Sequence, residues 1–423
     1  MRRSTDATTT AAGVDVERMR RERFARALGE MERREVDALV LGREANARYV
    51  SDARRLWVAG TRPFAPGCVV LRATGQVYLL SATDDGIPAE IPRANLYCTT
   101  WNPEKLMHAL RRIPGLAEAR RVGIDAATPL MNDLLPSVVP RAELVNGEAL
   151  MLAARRVKTR DEIACLRSAI AITEAALDEV AAIVRPGCPE RHLAGVFHEA
   201  ICRRGATIAA TDGIFCATPR TTRGGAAPTD ETTETWRGTP PPLRGVASDR
   251  VLEPGDLVVL SAGVLHLGYE GDATRTCACP PRGSSGDDLH GHGPAIEALH
   301  HEWQRTMDAL VAECRAGRSA ADLRRAYERS GAPPPVLPLA YGVGLGVEPP
   351  IVGAGGEKAH EAAQVLEPDM VLSLQVYAWR ENVGGYLGTI VVRITERDAD
   401  VLTASPVRWD AGSSGANSAF LDS

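Results

Sequence analysis

The stretch from Val251 to Cys279 reads VLEPGDLVVLSAGVLHLGYEGDATRTCAC and decides the fold of this chain. The segment EPGD at residues 253–256 is typical of a turn, and the apolar run Leu257–Leu260 after it predicts a buried strand. The glycine-rich segment at residues 268–271 predicts a second turn, and residues 273–279 predict a second strand. We therefore expect a hairpin that presents side chains to a cleft.

The composition is typical of a globular protein with more than one domain. The chain has 423 residues, of which 44% are hydrophobic and 24% charged, and its length predicts two domains. No apolar run approaches the roughly 20 residues that span a bilayer. The opening residues MRRSTDATTTAAG lack the apolar segment of a secretory signal. We therefore expect no membrane segment and no export.

Charge and cysteine content exclude further classes of function. The net charge is −5 and the basic residues form no cluster, so nucleic-acid binding receives no support. The nine cysteines include no CxxC pair and no framework spacing, which favours reduced thiols. These features predict a cytoplasmic protein.

Local patterns divide the chain into two folded parts. Apolar residues at helical spacing within residues 21–31 predict a helix, and residues 36–41 predict a strand after it, so the first part is expected to be an α/β domain. Thr159 and Glu162 have the spacing of a capping box, which predicts that a helix begins there. We place the first domain at residues 21–152 and the second at 153–411, with disordered tails at 1–20 and 412–423.

The second part contains a weak internal repeat. Gly187 is followed six residues later by Leu193, and Gly317 is followed in the same way by Leu323. Each unit then ends in a Gly-Ala pair. The repeat predicts two related half-domains.

Three segments resemble the Xaa-Pro aminopeptidase, prolidase and creatinase family. Residues 254–276 are similar to the family text PGDLVLIDFGAxYxGYxSDxTRT, and residues 37–53 are similar to the text that opens its amino-terminal domain. The helix expected after Thr159 resembles the helix that begins its catalytic domain. The resemblance covers nearly the whole chain and implies an α/β (α+β) fold. This fold is a creatinase-like amino-terminal α/β domain followed by a pseudo-symmetric pita-bread domain, in a homodimer.

The chain departs from the family at the metal-binding positions. The resemblance aligns the first metal-binding aspartate with Ser261, the second with Asp272, the histidine with Tyr341 and one glutamate with Gln375. The last glutamate aligns with Thr395 or, after a slip of one residue, with Glu396. A pair of divalent ions needs several anionic ligands, so we predict that this chain uses no metal and no other cofactor.

The resemblance also suggests how the cleft meets its ligand. The family's substrate-lining histidine aligns with Arg244, whose guanidinium would bind a carboxylate but cannot act as a base. Tyrosines and arginines at pocket positions predict a cationic, phenol-lined cleft for an acidic ligand; the alternative is that they fill and neutralise a vacated cavity around Asp272. The predicted catalytic residues are Asp272, Tyr341, Gln375 and Glu396, and the predicted substrate-binding residues are Arg244, Ser261, His266 and Arg393.

Three functions remain open at this point. The first is a metal-independent creatinase- or aminopeptidase-like enzyme that acts on a carbon–nitrogen bond of a small carboxylate-bearing molecule or an Xaa-Pro-like dipeptide. The second is a catalytically dead pseudopeptidase that binds a small molecule or a short peptide. The third is a true peptidase with a rebuilt metal site. All three imply a small-molecule or peptide partner, and no nucleic acid or membrane.

Overall fold

The computed structural model describes most of the chain in two compact units. It describes residues 13–53, 67–81, 83–98, 102–206, 213–221, 248–282, 293–353 and 358–404. The first unit ends at Ile163 and the second begins at Ala164. Most of the two predicted tails, and Arg244 with most of the loop at 219–245, lie outside the described residues. No helix in the described ranges is long and apolar enough to cross a membrane.

The first unit is an α/β domain built on one mixed sheet. Its elements are α1 (Val16–Arg33), β1 (Ala38–Leu41), α2 (Glu44–Ser51), β2 (Cys68–Leu71), β3 (Gln76–Ser81), β4 (Leu96–Cys98), α3 (Pro103–Arg111), β5 (Arg121–Ile124), α4 (Pro129–Leu134), β6 (Glu143–Asn146) and α5 (Gly147–Arg155). The sheet order is β4-β3-β2-β1-β5-β6, and β1 runs antiparallel to β2 and parallel to β5. All four residues of β1 are buried, as expected for an apolar strand covered on both faces.

The second unit contains a three-stranded and a five-stranded sheet. Its elements are α6 (Arg160–Ala181), α7 (Glu190–Arg203), β7 (Ile214–Ala217), β8 (Leu257–His266), β9 (Tyr269–Ala278), α8 (Gly293–Val311), α9 (Ala320–Arg329), β10 (Pro338–Val343), β11 (Val347–Gly353), α10 (Lys358–Glu361), β12 (Val371–Arg380), β13 (Gly384–Ile394) and β14 (Ala399–Val401). The orders are β7-β8-β9 and β11-β10-β12-β13-β14, and every pairing in them is antiparallel.

The start of α6 confirms the predicted capping box. The Thr159 N–H donates to the Glu162 carboxylate at 2.7 Å, and the Glu162 N–H donates to Thr159 Oγ1 at 3.2 Å. Each residue thus satisfies a backbone donor that the first turn of the helix leaves free. The helix that leads into the second unit therefore begins at Arg160, directly after Thr159.

The internal repeat is present in the structure. Gly187 and Gly317 both have positive φ, 88° and 80°, and each begins a turn into a helix, α7 or α9. The Gly187 N–H donates to the Leu252 carbonyl at 2.9 Å, and the Gly317 N–H donates to the Leu366 carbonyl at 3.0 Å. The two halves of the repeat therefore have equivalent backbone hydrogen bonds as well as equivalent helices.

The repeat makes the hairpin β8–β9 equivalent to the hairpin β12–β13. Leu257 and Val371 are the first residues of β8 and β12, and each strand follows a turn closed by a backbone hydrogen bond. The fifth residues of these strands, Ser261 and Gln375, are therefore equivalent. Their cross-strand neighbours Thr274 and Thr389 are equivalent as well.

The first hairpin has a shorter turn than the sequence predicts. Only Leu267 and Gly268 form it, with φ angles of 51° and 88°, which is the positive-φ geometry of a tight two-residue hairpin turn. Glycine adopts such an angle without a Cβ clash, which explains Gly268. As a correction to the predicted turn at 268–271, Glu270 lies in β9 and its side chain belongs to a sheet face.

One face of this hairpin forms the core against α6 and α7. Val258, Leu260 and Ala262 of β8 are buried in one apolar cluster with Leu177 of α6 and Phe197 of α7. The packing is so close that a Cβ at Gly271 would lie 2.2 Å from the Ala169 carbonyl carbon. Side chains alternate between the faces of a strand, so the neighbouring residues of β8 and β9 point to the opposite face.

Candidate functional site

Each of the two hairpins, β8–β9 and β12–β13, has one face that points away from the helices. These two faces carry the polar residues of the site, and we call them together the inner face. The inner face comprises Ser261 and Gly263 of β8; Glu270, Asp272, Thr274 and Thr276 of β9; Tyr341 of β10; Ser373 and Gln375 of β12; and Thr389 of β13. The assignment follows from the pairing register, because directly paired residues share a face and residues two apart on a strand share a face.

Thr276 joins the two hairpins. Its hydroxyl donates to the Leu387 carbonyl at 2.7 Å and accepts from the Leu387 N–H at 2.9 Å. A side chain here makes both of the hydrogen bonds that a neighbouring strand would make. The inner faces of β9 and β13 are therefore continuous.

Asp272 is the centre of a hydrogen-bonded group at one end of the inner face. Its Oδ2 accepts from the Tyr341 hydroxyl and from the Ser373 hydroxyl, both at 2.6 Å. Burial raises the pKa of Asp272, although these two hydrogen bonds act to lower it. The pKa of Tyr341 also lies well above its ordinary value, first because of burial and then because of the Asp272 charge. The structure thus brings together the two predicted catalytic residues Asp272 and Tyr341.

Glu270 provides a second buried carboxyl on the same strand face. Its residue is 7% exposed, and no hydrogen bond reaches its carboxylate from the part of the chain that the structure describes. Burial, and then the charge of Asp272, raise the pKa of Glu270 to about 7. A carboxyl with such a pKa exchanges its proton near neutral pH, which is the property of a general acid or base.

The next row of the inner face is neutral. Ser261 and Thr274, paired across β8 and β9, hydrogen-bond to each other at 2.7 Å between their hydroxyl oxygens. Gln375 and Thr389 pair across β12 and β13, but the buried Thr389 Oγ1 has no partner within the described ranges. The hydroxyl of the predicted substrate-binding residue Ser261 is therefore hydrogen-bonded to Thr274, whereas the Thr389 hydroxyl has no hydrogen-bond partner among the described residues.

The strand register also shows that the last predicted residues, Thr395 and Glu396, do not lie opposite Gln375. Thr389, and neither Thr395 nor Glu396, lies opposite Gln375. Thr395 follows Val391 by four residues, about 13 Å of extended chain. Val391 itself lies opposite Ser373. Glu396 is exposed in the bend that follows β13, so the structure does not bring this predicted catalytic residue to Asp272.

The predicted substrate-binding residues His266 and Arg393 do not join this group. His266 pairs with Tyr269, and strand alternation places both on the face opposite Asp272, where burial lowers the pKa of His266. Arg393 lies at the end of β13 and forms ion pairs with Asp369 at 2.7 Å and with Asp400 at 3.6 Å. Its charge is balanced outside the Asp272 group.

The expectation of a cationic cleft is not met by the described residues. Arg275 lies on the helix-facing side of β9 and forms an ion pair with Asp178 of α6. Arg393 shares the inner face by the strand register, but its charge is balanced by Asp369 and Asp400, whereas the carboxyls of Glu270 and Asp272 have no ion-pair partner among the described residues. Arg244, the remaining predicted cation, lies outside the described residues, and its role stays a prediction.

The matches to family models decide which family this chain belongs to. The model described as metallopeptidase family M24 matches residues 164–397, which is more than half of the chain, and the model of the creatinase/prolidase N-terminal domain matches residues 23–157. The chain belongs to metallopeptidase family M24. The predicted creatinase- and prolidase-like family and its pita-bread fold are confirmed.

Relatives of this M24 chain cover most of its length. An uncharacterized peptidase of Bacillus subtilis is 26% identical over 270 residues, 64% of this chain and 68% of the relative. A creatinase of a Bacillus species is 24% identical over 390 residues, 88% of this chain and 87% of the relative. The crystal structure of the prolidase from Pyrococcus horikoshii superposes with a TM-score of 0.69 at 20% identity and covers 92% of this chain and 100% of the prolidase chain. The last likeness shows the shared fold.

The family name implies metal ions, and the donor set of the inner face does not fit a metal pair. Two divalent ions held about 3.5–4 Å apart need several carboxylates or imidazoles to offset their repulsion. The inner face offers two carboxyls, and the other donors are hydroxyls, a phenol and an amide. Throughout the described ranges, no group of three or more His, Cys, Asp or Glu side chains is placed to hold an ion.

Proposed function

We propose that this chain is a metal-independent enzyme of the M24 family that hydrolyses a carbon–nitrogen bond of a small carboxylate-bearing molecule or an Xaa-Pro-like dipeptide. The observation that carries the proposal is Asp272 in its group. Tyr341 and Ser373 hold Oδ2, and no donor among the described residues reaches Oδ1. A buried carboxyl fixed through one oxygen is suited to transfer a proton through the other.

The proposed step uses Asp272 for both proton transfers. The Asp272 carboxylate takes a proton from a water molecule while the oxygen of that water bonds to the substrate carbon. The protonated Asp272 carboxyl then gives the proton to the substrate nitrogen as the C–N bond breaks. The Gln375 amide would donate to the oxygen or nitrogen on which negative charge develops. Tyr341 orients the carboxylate through its hydroxyl.

The test is turnover by protein freed of metal with a chelator. Creatine and a panel of Xaa-Pro dipeptides are the substrates, product is measured by mass spectrometry, and the metal content is measured by elemental analysis. The proposal expects turnover without metal and no increase on addition of manganese, cobalt or zinc. Activity that requires about two ions per chain would overturn it.

A matched pair of variants tests the role of Asp272. Asp272→Asn keeps an acceptor for both hydroxyls, so the fold should persist, but an amide cannot transfer the proton. We expect turnover to fall by roughly 10²–10⁴-fold. Glu297→Gln removes one exposed carboxylate from α8 and should leave turnover unchanged. Equal activity of Asp272→Asn and wild type would contradict the proposed step.

The second candidate is a pseudopeptidase that binds a ligand without chemistry. The observation in its favour is the Ser261–Thr274 hydrogen bond, because two side chains of the inner face satisfy each other and present no reactive group. This candidate predicts saturable binding of a small molecule or peptide with no product. Any turnover by the metal-free protein would exclude it.

A further inference from the structure

Thr389 carries a deeply buried hydroxyl on the inner face that makes no hydrogen bond within the part of the chain that the structure describes. The residue is 5% exposed, and its Oγ1 has no partner there. Buried hydroxyls in folded proteins are as a rule hydrogen-bonded, because burial removes their bonds to water. The Thr389 hydroxyl is therefore available to a ligand.

Gln375 lies opposite Thr389 and adds a second available donor. It is half-buried on β12, and its amide makes no hydrogen bond to any described residue. Side chains that are directly paired across two strands have Cβ atoms about 4.5–5.5 Å apart. The Thr389 O–H and the Gln375 N–H can therefore both reach one ligand atom between them. Neither side chain carries a charge.

The equivalent pair in the first hairpin is used differently. Ser261 and Thr274 hydrogen-bond to each other at 2.7 Å, so each of these hydroxyls already has a partner. Within the described residues of this row, the donors that remain available lie on the second hairpin, at Gln375 and Thr389.

These two donors lie one row away from Asp272. Ser373, which donates to Asp272 Oδ2 at 2.6 Å, precedes Gln375 by two residues on β12. Residues two apart on a strand point to the same face and lie about 7 Å apart along it. A substrate carbon that is attacked by a water molecule at Asp272 can therefore direct its own oxygen to Gln375 and Thr389.

We infer that Thr389 is a further catalytic residue, whose hydroxyl donates together with the Gln375 amide to the substrate oxygen on which negative charge develops. The assignment rests on the proposed function and adds a second donor to it. As the water oxygen bonds to the carbon, an electron pair of the C=O bond moves onto the substrate oxygen. The pair returns to re-form the C=O bond when the C–N bond breaks, so neither Thr389 nor Gln375 gains or loses a proton.

Thr389→Val tests the inference because it replaces the hydroxyl by a methyl group in a side chain of the same shape. We expect kcat to fall by about 10²-fold on the Xaa-Pro dipeptide that the wild type hydrolyses fastest, since the loss of one such donor costs roughly 10²–10³-fold. KM should change by less than about three-fold, because the bond strengthens only as charge develops. Thr389→Ser keeps the hydroxyl and should restore most of kcat.

Thr306→Val is the matched control. Thr306 lies on α8, is 3% exposed and donates its hydroxyl to the Glu302 carbonyl at 3.0 Å. The same substitution there removes a buried hydroxyl that has a structural role, and kcat should stay at the wild-type value. The urea midpoint of each variant shows whether the fold persists. Thr389→Ala also lacks the hydroxyl and repeats the comparison if the valine variant does not fold.

Dimethylphosphinate provides a measurement without turnover. This small tetrahedral anion resembles the reacting centre after water has added, and its binding to the full-length protein is followed by phosphorus NMR at pH 7. We expect Thr389→Val to bind it about ten-fold more weakly than the wild type, and Thr389→Ser to bind it with nearly the wild-type affinity.

Several outcomes would overturn the inference. They are a wild-type kcat in Thr389→Val, a loss of kcat that Thr389→Ser does not restore, equal affinity of wild type and Thr389→Val for dimethylphosphinate, and no binding of this anion by the wild type. Failure of the proposed function looks different, because it is an absence of product with the wild type. In that case the dimethylphosphinate affinities alone decide whether Thr389 binds the oxygen.

Discussion

The two hairpins of the second unit use the same pair of positions in opposite ways. In the first hairpin, Gly263 is paired with Asp272 and lies diagonally across from Glu270, so the space is open on β8 and the Glu270 carboxyl stands on β9. In the second hairpin, the equivalent residues are Tyr377 and Gly385, and a Cβ at Gly385 would lie 2.2 Å from the Tyr377 ring and hydroxyl. The phenol fills in one half the volume that the carboxyl occupies in the other.

The difference shows that the two halves of the repeat have different roles. The second hairpin supplies apolar packing, and the first supplies the charged groups. Tyr377 and Leu387 of the second hairpin are buried in one apolar cluster with Val259, which supports the inner face. The position equivalent to Leu387 on the first hairpin is Asp272, so the first half supplies the charge. The same backbone thus presents a pair of carboxyls in one half and apolar packing at the equivalent positions of the other half.

The largest effect that tests this comparison concerns the pH dependence of stability. Glu270 has a folded-state pKa of about 7, raised from 4.5, so the folded state holds a proton that the unfolded state releases. Wild-type stability should therefore fall as the pH rises from about 4.5 to about 7, by about 3 kcal/mol in total. Glu270→Gln should lack this fall. The measurement is urea unfolding of both proteins from pH 5 to pH 8.

The gap between Glu270→Gln and wild type should widen with pH and level off above about pH 7.5. A gap that stays constant across this range would show that Glu270 has an ordinary pKa, and that the first hairpin holds no more strain than the second.

The second test replaces each of the two glycines, Gly263 and Gly385, by alanine. Gly385→Ala forces a methyl group into the Tyr377 ring, and overpacking of this kind costs about 1–3 kcal/mol. Gly263→Ala meets only van der Waals contact with Glu270, so its stability should stay within about 1 kcal/mol of wild type. Thermal unfolding measures both. Equal losses for the two variants would refute the opposite use of these positions.

The smallest effect concerns the two threonines. Thr274→Val removes the partner of Ser261 and should cost about 1 kcal/mol, because the half-buried Ser261 hydroxyl is left without its hydrogen bond. Thr389→Val removes a hydroxyl that has no partner in the described structure and should be neutral or slightly stabilising. The urea midpoints of the two variants give the comparison. A loss in Thr389→Val as large as in Thr274→Val would show that Thr389 is already bonded.

The sequence predicts those parts of the fold that depend on local patterns. The capping box at Thr159 and Glu162 places the start of α6, and the apolar run from Leu257 places β8, because each signal lies within a few residues. Asp272 and Tyr341 were assigned to one site through the family resemblance. Their hydrogen bond in the structure is consistent with this.

The sequence misses the residues whose position depends on register. Glu270 stood in a predicted turn, although its spacing of two residues from Asp272 is the signal that places both on one strand face. Thr389 was missed because Arg393-Ile394-Thr395 resembles the family motif more closely, and only the pairing of β12 with β13 shows which residue lies opposite Gln375. Register across a long hairpin depends on its turn and packing, which single motifs do not encode.

Thr276 links the two hairpins. Separation of β9 from β13 can therefore be measured at a single backbone amide, that of Leu387. The Leu387 amide gives its proton to a hydroxyl across the seam between β9 and β13, so its hydrogen–deuterium exchange requires that the seam part. Amides inside each hairpin depend instead on their own strand pairs. Exchange at Leu387 therefore reports how often the two halves of the repeat separate at this seam.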